Sequence, residues 1–207
     1  LAFRAFGESL SVDLPTILVG DGYETHVYDV AFDDPQSFCS AELDPSGCAP
    51  CPCGNNAPAG QLAGCTNSTG SAGRLHAIGE ASLTDDRVRM NVTGLTPSSF
   101  AVLVSATLQL PQAGVCAPGT GIASPALDGL RCIGVGALRH GTRSTDSTGA
   151  DLFGWGVEQG PSGGLVAATG AQPGQTRFFQ AFYRDLPTLG CLTGVNTTNG
   201  MALVVRP

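Results

Sequence analysis

The chain has 207 residues, no lysine and a formal net charge of −7. Ten scattered arginines against seventeen acidic residues supply no basic face, so we expect no nucleic-acid partner. Twenty-nine glycines and fourteen prolines, with a hydrophobic fraction of 42%, are typical of turn-rich β structure around a real core and argue against a helical or disordered chain.

Residues 1–38 are predicted to form an extended N-terminal strand segment. One apolar alternation runs through Pro15, and a second strand is predicted from His26 to Phe32, after the turn residues Gly20–Gly22. The two strands either form a hairpin or add to different sheets. Because the first has no obvious local partner, its apolar positions are candidate contacts with a neighbouring subunit: Leu10, Val12, Leu14, Ile17 and Val19.

Residues 39–73 are predicted to be a cysteine-rich stapled loop region, because five cysteines lie between Cys39 and Cys65 without any apolar periodicity. Five is odd, so at least one of them must bridge to a later cysteine if all pair. A bridge to Cys132 would close a loop of about a hundred residues and contribute about 4–5 kcal/mol. The cysteines predicted to form disulfides are Cys39, Cys48, Cys51, Cys53, Cys65, Cys116, Cys132 and Cys191.

An acidic chain with an even number of cysteines predicts an oxidising compartment, secreted or at the cell surface. The start at Leu1, without an initiator Met or a basic stretch, is interpreted as a secretory signal already removed. No apolar run is long enough to cross a bilayer, so no membrane span is expected. A thiolate metal site built from Cys48, Cys51, Cys53 and Cys65 is the alternative, and we expect neither a metal nor a cofactor.

Residues 74–207 are predicted to be the main β sandwich, forming one domain with residues 39–73. Period-2 alternation indicates short strands separated by Gly/Pro loops, with no helical window and no repeat. The predicted fold class is therefore all-β, an antiparallel β-sandwich of jelly-roll or Ig-like type. The predicted strands cover 75–81, 88–92, 100–110, 132–140, 176–185 and 201–205.

Five segments occur together in a familiar order: Cys51–Asn55 (CPCGN), Gly64–Gly70 (GCTNSTG), Asp128–Cys132 (DGLRC), Phe182–Asp185 (FYRD) and Asn196–Gly200 (NTTNG). In this order they resemble a cysteine-containing β module of large secreted and surface proteins of planctomycete-like and myxobacterial bacteria. The likeness covers about residues 38–205.

The resemblance implies a location and a fold class rather than a reaction, because the family is largely uncharacterised. It also implies that Cys132 pairs with Cys191. Cys48 and Cys116 depart from its pattern and are candidates for an additional bridge. Residues 1–32 are not covered by the likeness.

No catalytic constellation is visible, so we expect a non-enzymatic protein. The serine of Gly160–Gly164 (GPSGG) is predicted to lie in a tight turn. The three histidines, His26, His76 and His140, show no metal-ligand spacing. The N-terminal aspartates, among them Asp21 and Asp29, favour a solvated acidic face over a calcium site.

Two features leave a glycan role open. Asn67, Asn91 and Asn196 stand in N-x-S/T sequons and are candidate glycan attachment sites. The aromatic residues Phe153, Trp155 and Tyr183 are candidates for stacking on sugar rings, although core filling is their commoner role.

The function we expect is that of a structural subunit outside the cell. It polymerises with copies of itself into a filament when its N-terminal strands add to a neighbouring subunit. The alternative is a monomeric adhesive or carbohydrate-binding module whose partner is an extracellular glycan.

Overall fold

A computed structural model describes residues 35–42, 48, 50–111, 116–155, 164–187 and 191–207 in full. Of the residues before Pro35, it describes the backbone of the strands at 2–5, 8–13, 16–20 and 25–29. The chain divides into two compact units, Leu1–Asp34 and Pro35–Pro207.

The N-terminal unit holds a four-stranded antiparallel sheet in which each strand pairs with the next along the chain. Its strands are β1 (Ala2–Ala5), β2 (Glu8–Asp13), β3 (Thr16–Gly20) and β4 (Thr25–Asp29). The expectation of a strand without a local partner is therefore wrong, because β2 pairs with both β1 and β3. The single strand predicted through Pro15 is two strands, β2 and β3. Leu14, and the residues Asp21 and Gly22 of the turn predicted at Gly20–Gly22, lie outside the described residues.

The N-terminal sheet has one apolar face by register. Leu10 lies opposite Val19 and Val12 opposite Ile17, and directly opposed residues share a face. The same face continues through Phe3, opposite Leu10, and through Tyr28, opposite Ile17. The predicted contact positions of β2 and β3 thus lie together on one side of the sheet.

The second unit is built on a five-stranded sheet, here called the main sheet, and a three-stranded sheet, here called the small sheet. The main sheet has the order β11-β8-β13-β14-β5, the small sheet β12-β7-β6, and β9 and β10 form a separate ribbon; all their pairings are antiparallel. The strands are β5 (Gln36–Phe38), β6 (Arg74–Ile78), β7 (Arg89–Thr93), β8 (Phe100–Ala106), β9 (Ile122–Ala123), β10 (Leu130–Arg131), β11 (Leu138–Ser144), β12 (Asp151–Gly154), β13 (Thr176–Arg184) and β14 (Val195–Val204).

The two sheets pack face to face around an apolar core. The small sheet contributes the inward residues Leu75, Met90 and Phe153, each at most 1% exposed. The main sheet contributes Leu103 and Phe179, among others. Strands of the small sheet alternate buried and solvent-facing residues, as expected for a sheet with one covered face.

The opposite face of the main sheet is covered by the disulfide-bonded loops. A second cluster of buried residues joins Val104 and Ala106 of β8 to Cys65, Leu130 and Ile133. Strand β14 lies inside the main sheet and is covered on both faces, so six consecutive residues, Asn196–Met201, are buried.

The predicted fold class, an antiparallel disulfide-stapled β sandwich, is confirmed. The alternation predicted for β8 is also confirmed, because Ala101 and Leu103 lie in the first core while Val104 and Ala106 lie in the second. Of the strand predicted for Cys132–His140, only residues 138–140 belong to a strand, β11, because the chain bends at Val135 and Gly136, where Gly136 has a φ of 77°. The N-terminal segment predicted to end at Phe38 ends at Asp34, since β5 joins the main sheet.

Candidate functional site

The eight cysteines form four disulfides and none is free. The pairs are Cys39–Cys132, Cys48–Cys116, Cys51–Cys65 and Cys53–Cys191. The implied Cys132–Cys191 pair is therefore wrong, whereas the additional bridge between Cys48 and Cys116 is present. Three cysteines of the stapled region form bridges to the rest of the chain, in agreement with the expectation of at least one.

This connectivity decides the nature of the sulfur cluster. The four sulfurs of the alternative thiolate site are divided among three disulfides, so they offer no set of thiolate ligands. Ligand atoms of Cys53, Asp128 and Cys191 lie within 4.8 Å of one another. The two sulfurs are bonded to each other, and the Asp128 carboxylate accepts hydrogen bonds from the backbone N–H groups of Thr193 (3.1 Å) and Gly194 (3.0 Å). The role of this cluster is to hold the loop before β14.

The five segments of the resemblance meet in one buried polar cluster. Asn55 donates to the carbonyl oxygens of Thr66 (2.6 Å) and Asp128 (3.2 Å). Asn196 donates to the same Thr66 carbonyl (3.3 Å) and to the Asp185 carboxylate (3.5 Å). Segments far apart in the sequence are thereby joined through hydrogen bonds, so these residue types have a direct structural role.

Asp185 is a buried carboxylate whose hydrogen bonds come from neutral donors. It is 8% exposed and accepts from the Ser68 backbone N–H (3.1 Å), the Thr96 hydroxyl (2.9 Å) and the Leu186 N–H (2.8 Å). The Ser68 hydroxyl also donates to it. Several good donors can compensate a buried charge, whereas loss of one leaves a costly unsatisfied group. Next to it, burial raises the pKa of Tyr183.

Polar side chains of β13 and β14 tie the layers together. The Asn199 amide bonds both the N–H (2.8 Å) and the carbonyl (3.0 Å) of Leu75 in the small sheet. The Gln180 amide bonds the Cys132 N–H (3.0 Å) and the Leu130 carbonyl (2.9 Å) on the other side. A Cβ atom at Gly64 would overlap the Thr197 carbonyl, so glycine is required where the stapled loop approaches β14.

Two of the three sequons are inaccessible in the folded protein. Asn196 is 0% exposed, and Asn67 is 7% exposed and donates to the Gly94 carbonyl (2.8 Å). As glycan attachment sites both predictions are wrong, since these amides are occupied by structural hydrogen bonds. Asn91 lies on the solvent side of β7 and is partly exposed.

The three aromatic residues proposed for sugar stacking also differ in exposure to solvent. Phe153 and Tyr183 are buried in the first core, so they are not available to a ligand. Trp155 follows β12 and is 42% exposed. The Arg89 guanidinium lies 4.4 Å from its ring centroid, and that of Arg87 lies 5.9 Å away.

A serine–histidine pair was missed by sequence reasoning because its members lie on different strands. The Ser105 Oγ is 2.6 Å from the His140 Nε2. Ser105 is 1% exposed, and no carboxylate among the described residues bonds the imidazole. Burial lowers the pKa of His140 to about 4. A buried hydroxyl beside a weakly basic imidazole fits a hydrogen bond between strands better than a nucleophile. The serine predicted to lie in a tight turn at 160–164 is outside the described residues.

The described surface includes two grooves of different character. The first, on the outer face of the small sheet, has a volume of about 670 Å³ and mixes basic, neutral polar and acidic side chains: Arg74, His76, Asn91, Asp146 and Asp151. The second, here called the β11 groove, lies beside β11 on the main sheet and has a volume of about 480 Å³. Its floor is apolar and contains Val102, Val104, Ile133 and Phe182. Its charged lining residues are Arg131 and Arg139.

Four disulfides define the class: a β-sandwich protein of an oxidising, extracytoplasmic compartment. No helix in the described ranges is long and apolar enough to cross a membrane. In comparisons with known proteins, no family model, no curated protein and no solved structure matches this chain.

Proposed function

We propose that this chain is a non-enzymatic structural subunit, secreted or displayed at the cell surface. Copies assemble by strand addition through the N-terminal unit. The observation that supports this most strongly is the N-terminal sheet itself, a separate unit of Leu1–Asp34 with an apolar face by register and a terminal strand at each side.

A single sheet of this size is a poor independent domain. Four short strands can bury one face only against another surface, and a terminal strand carries unpaired backbone groups. Strand addition to a neighbouring subunit supplies main-chain hydrogen bonds and a register for alternate side chains. A head-to-tail contact of this kind propagates into a fibre unless the rotation closes a ring.

The second unit has the properties of a durable building block. It contains both apolar clusters and all four disulfides, and its described buried carboxylates are bonded to backbone and hydroxyl donors. The absence of lysine also removes the commonest charge that blocks edge pairing.

Deleting residues 1–34 tests the proposal. Because the remaining unit retains both clusters and every bridge, it should fold and melt cooperatively. Light scattering coupled to size exclusion should find the parent in large species and the truncated protein as a monomer. A truncated protein that assembles like its parent would refute the role given to the N-terminal unit.

A second candidate function is carbohydrate binding, which the exposed ring of Trp155 favours. In that case the Trp155→Ala variant should lose binding to soluble polysaccharides in affinity electrophoresis. Phe100→Ala is the matched control, because Phe100 is 60% exposed on a strand of the other sheet. Equal retardation of parent and Trp155→Ala would remove this candidate.

A further inference from the structure

Strand β11 is the longest strand at a sheet edge in the second unit. It spans Leu138–Ser144, whereas the other edge strands of the main and small sheets, β5, β6 and β12, have three to five residues. Among the described residues it pairs only with β8, so no described strand occupies the other side of its backbone. Arg139 of this strand also lines the β11 groove, which extends from β11 across the face of β8 and β13.

The chemistry of this edge favours an acidic partner with apolar residues. The β11 groove has Val102, Val104 and Phe182 in its floor, two arginines in its lining and no carboxylate among its lining residues. Arg139 is exposed on β11 itself. A charged edge strand resists indiscriminate pairing, and an arginine in particular selects a partner strand that brings the opposite charge.

The N-terminal unit of a second copy matches these requirements. Residues 1–34 contain seven acidic residues and one arginine, whereas residues 35–207 contain ten acidic residues and nine arginines. Nearly all of the net negative charge of the chain is therefore in the N-terminal unit. Its terminal strand β4 pairs only with β3 among the described residues and ends at Asp29.

We propose that β4 of one copy adds antiparallel to the open edge of β11 in the next copy. This inference rests on the assembly function proposed above and names its acceptor. An antiparallel pairing that sets Asp29 across from Arg139 covers all five residues of β4 and extends the main sheet into the N-terminal sheet of the neighbour. The contact joins two different edges, so it is heterologous and propagates. Opposite charges directly across strands stabilise the register, and like charges destabilise it.

A charge swap in the full-length oxidised chain tests the pairing. The variants are Arg139→Glu, Asp29→Arg and the double variant with both changes. Arg74→Glu is the matched control, because Arg74 is exposed on the small sheet and the change in charge is the same. Sedimentation velocity over a concentration series, at low and high salt, measures the association constant, and thermal unfolding checks that each variant is folded.

Each single reversal should weaken association on the order of tenfold at low salt. The double variant should recover it, and Arg74→Glu should behave like the parent. Addition of salt should weaken association of the parent, because the charges are near the surface. If the parent associates and Arg139→Glu associates equally well, or if the double variant shows no recovery, the β4–β11 pairing is wrong while the assembly function stands. If the parent is monomeric throughout, the assembly function fails, and the pairing fails with it.

Discussion

The connectivity of the disulfides predicts a specific energetic coupling between two of them. The Cys48–Cys116 bridge is nested inside the Cys39–Cys132 bridge in the sequence, with sequence separations of 68 and 93. Nine positions separate Cys39 from Cys48, and sixteen separate Cys116 from Cys132. In the unfolded chain, each bridge therefore closes a loop of only about 25 residues when the other bridge is intact.

In each variant, both cysteines of a bridge are replaced by alanine. One variant lacks Cys39–Cys132, one lacks Cys48–Cys116, and one lacks both bridges. Removing Cys39–Cys132 with Cys48–Cys116 intact should lower the free energy of unfolding by about 3.5 kcal/mol through loop entropy. With Cys48–Cys116 absent, the shortest remaining path runs through Cys53–Cys191 over about 73 residues, and the loss rises to about 4.4 kcal/mol. The combined loss should thus exceed the sum of the two single losses by about 1 kcal/mol.

Urea unfolding under non-reducing conditions, with linear extrapolation, measures the four free energies of this double-mutant cycle. Loss of packing around the buried Cys39 and Cys132 lowers stability equally whether Cys48–Cys116 is present or absent, so it cancels in the coupling energy. Removal of Cys51–Cys65, a loop of 14 residues, serves as a local control expected to cost about 3 kcal/mol. If the two losses of stability are strictly additive, or if the double variant is more stable than their sum predicts, the coupling expected from the nested bridges is refuted.

Three further predictions concern single side chains. Because its pKa is lowered to about 4 in the folded protein, His140 contributes stability that is complete above pH 6.5. This stability is lost progressively as the pH falls from 6.5 to about 4, by about 1–2 kcal/mol for a partly buried ring. Urea titrations at stepped pH should show this slope in the parent and not in His140→Gln. Asp185→Asn should cost about 2–3 kcal/mol, since its neutral donors lose their anion, while Asp85→Asn at the surface should change stability by less than about 0.5 kcal/mol; calorimetry compares the two. Asn196→Gln should destabilise the fold by about 2 kcal/mol or more, whereas Asn91→Gln should leave the melting temperature nearly unchanged.

The strands with strong alternation could be predicted from the sequence. In β8 and β13 every second residue enters the same core, so period-2 patterning carries the information needed. Strands within turn-rich segments were harder to predict from the sequence. The strands β11 and β12 contain glycines and charged residues, because β11 lies at an edge and needs no apolar pattern on both faces.

The pairing of the cysteines could not be derived from spacing, since eight cysteines allow 105 pairings. That β14 is a buried inner strand could not be predicted from the sequence, for a related reason. A buried strand is expected to be apolar, yet Asn196 and Asn199 are fully buried because backbone groups of distant loops satisfy them. A sequon and a buried structural asparagine are identical in sequence, and only the three-dimensional contacts distinguish them.

Only one of the two elements of the candidate interaction surface could be predicted from the sequence. The apolar alternation of residues 10–19 indicated a contact element, but not that β2 pairs with β1 and β3. The acceptor edge depends on the position of β11 at the end of the main sheet and on Arg139 beside the β11 groove. Both follow from the strand order, which alternation alone does not specify.

Electron microscopy of the native full-length protein tests the assembly function most directly. Negative staining of the oxidised protein, at low salt and at a concentration where light scattering is measured in parallel, should show fibres with a regular subunit repeat. A field of dispersed single particles of one-chain size, under the same conditions and with the disulfides intact, would contradict it.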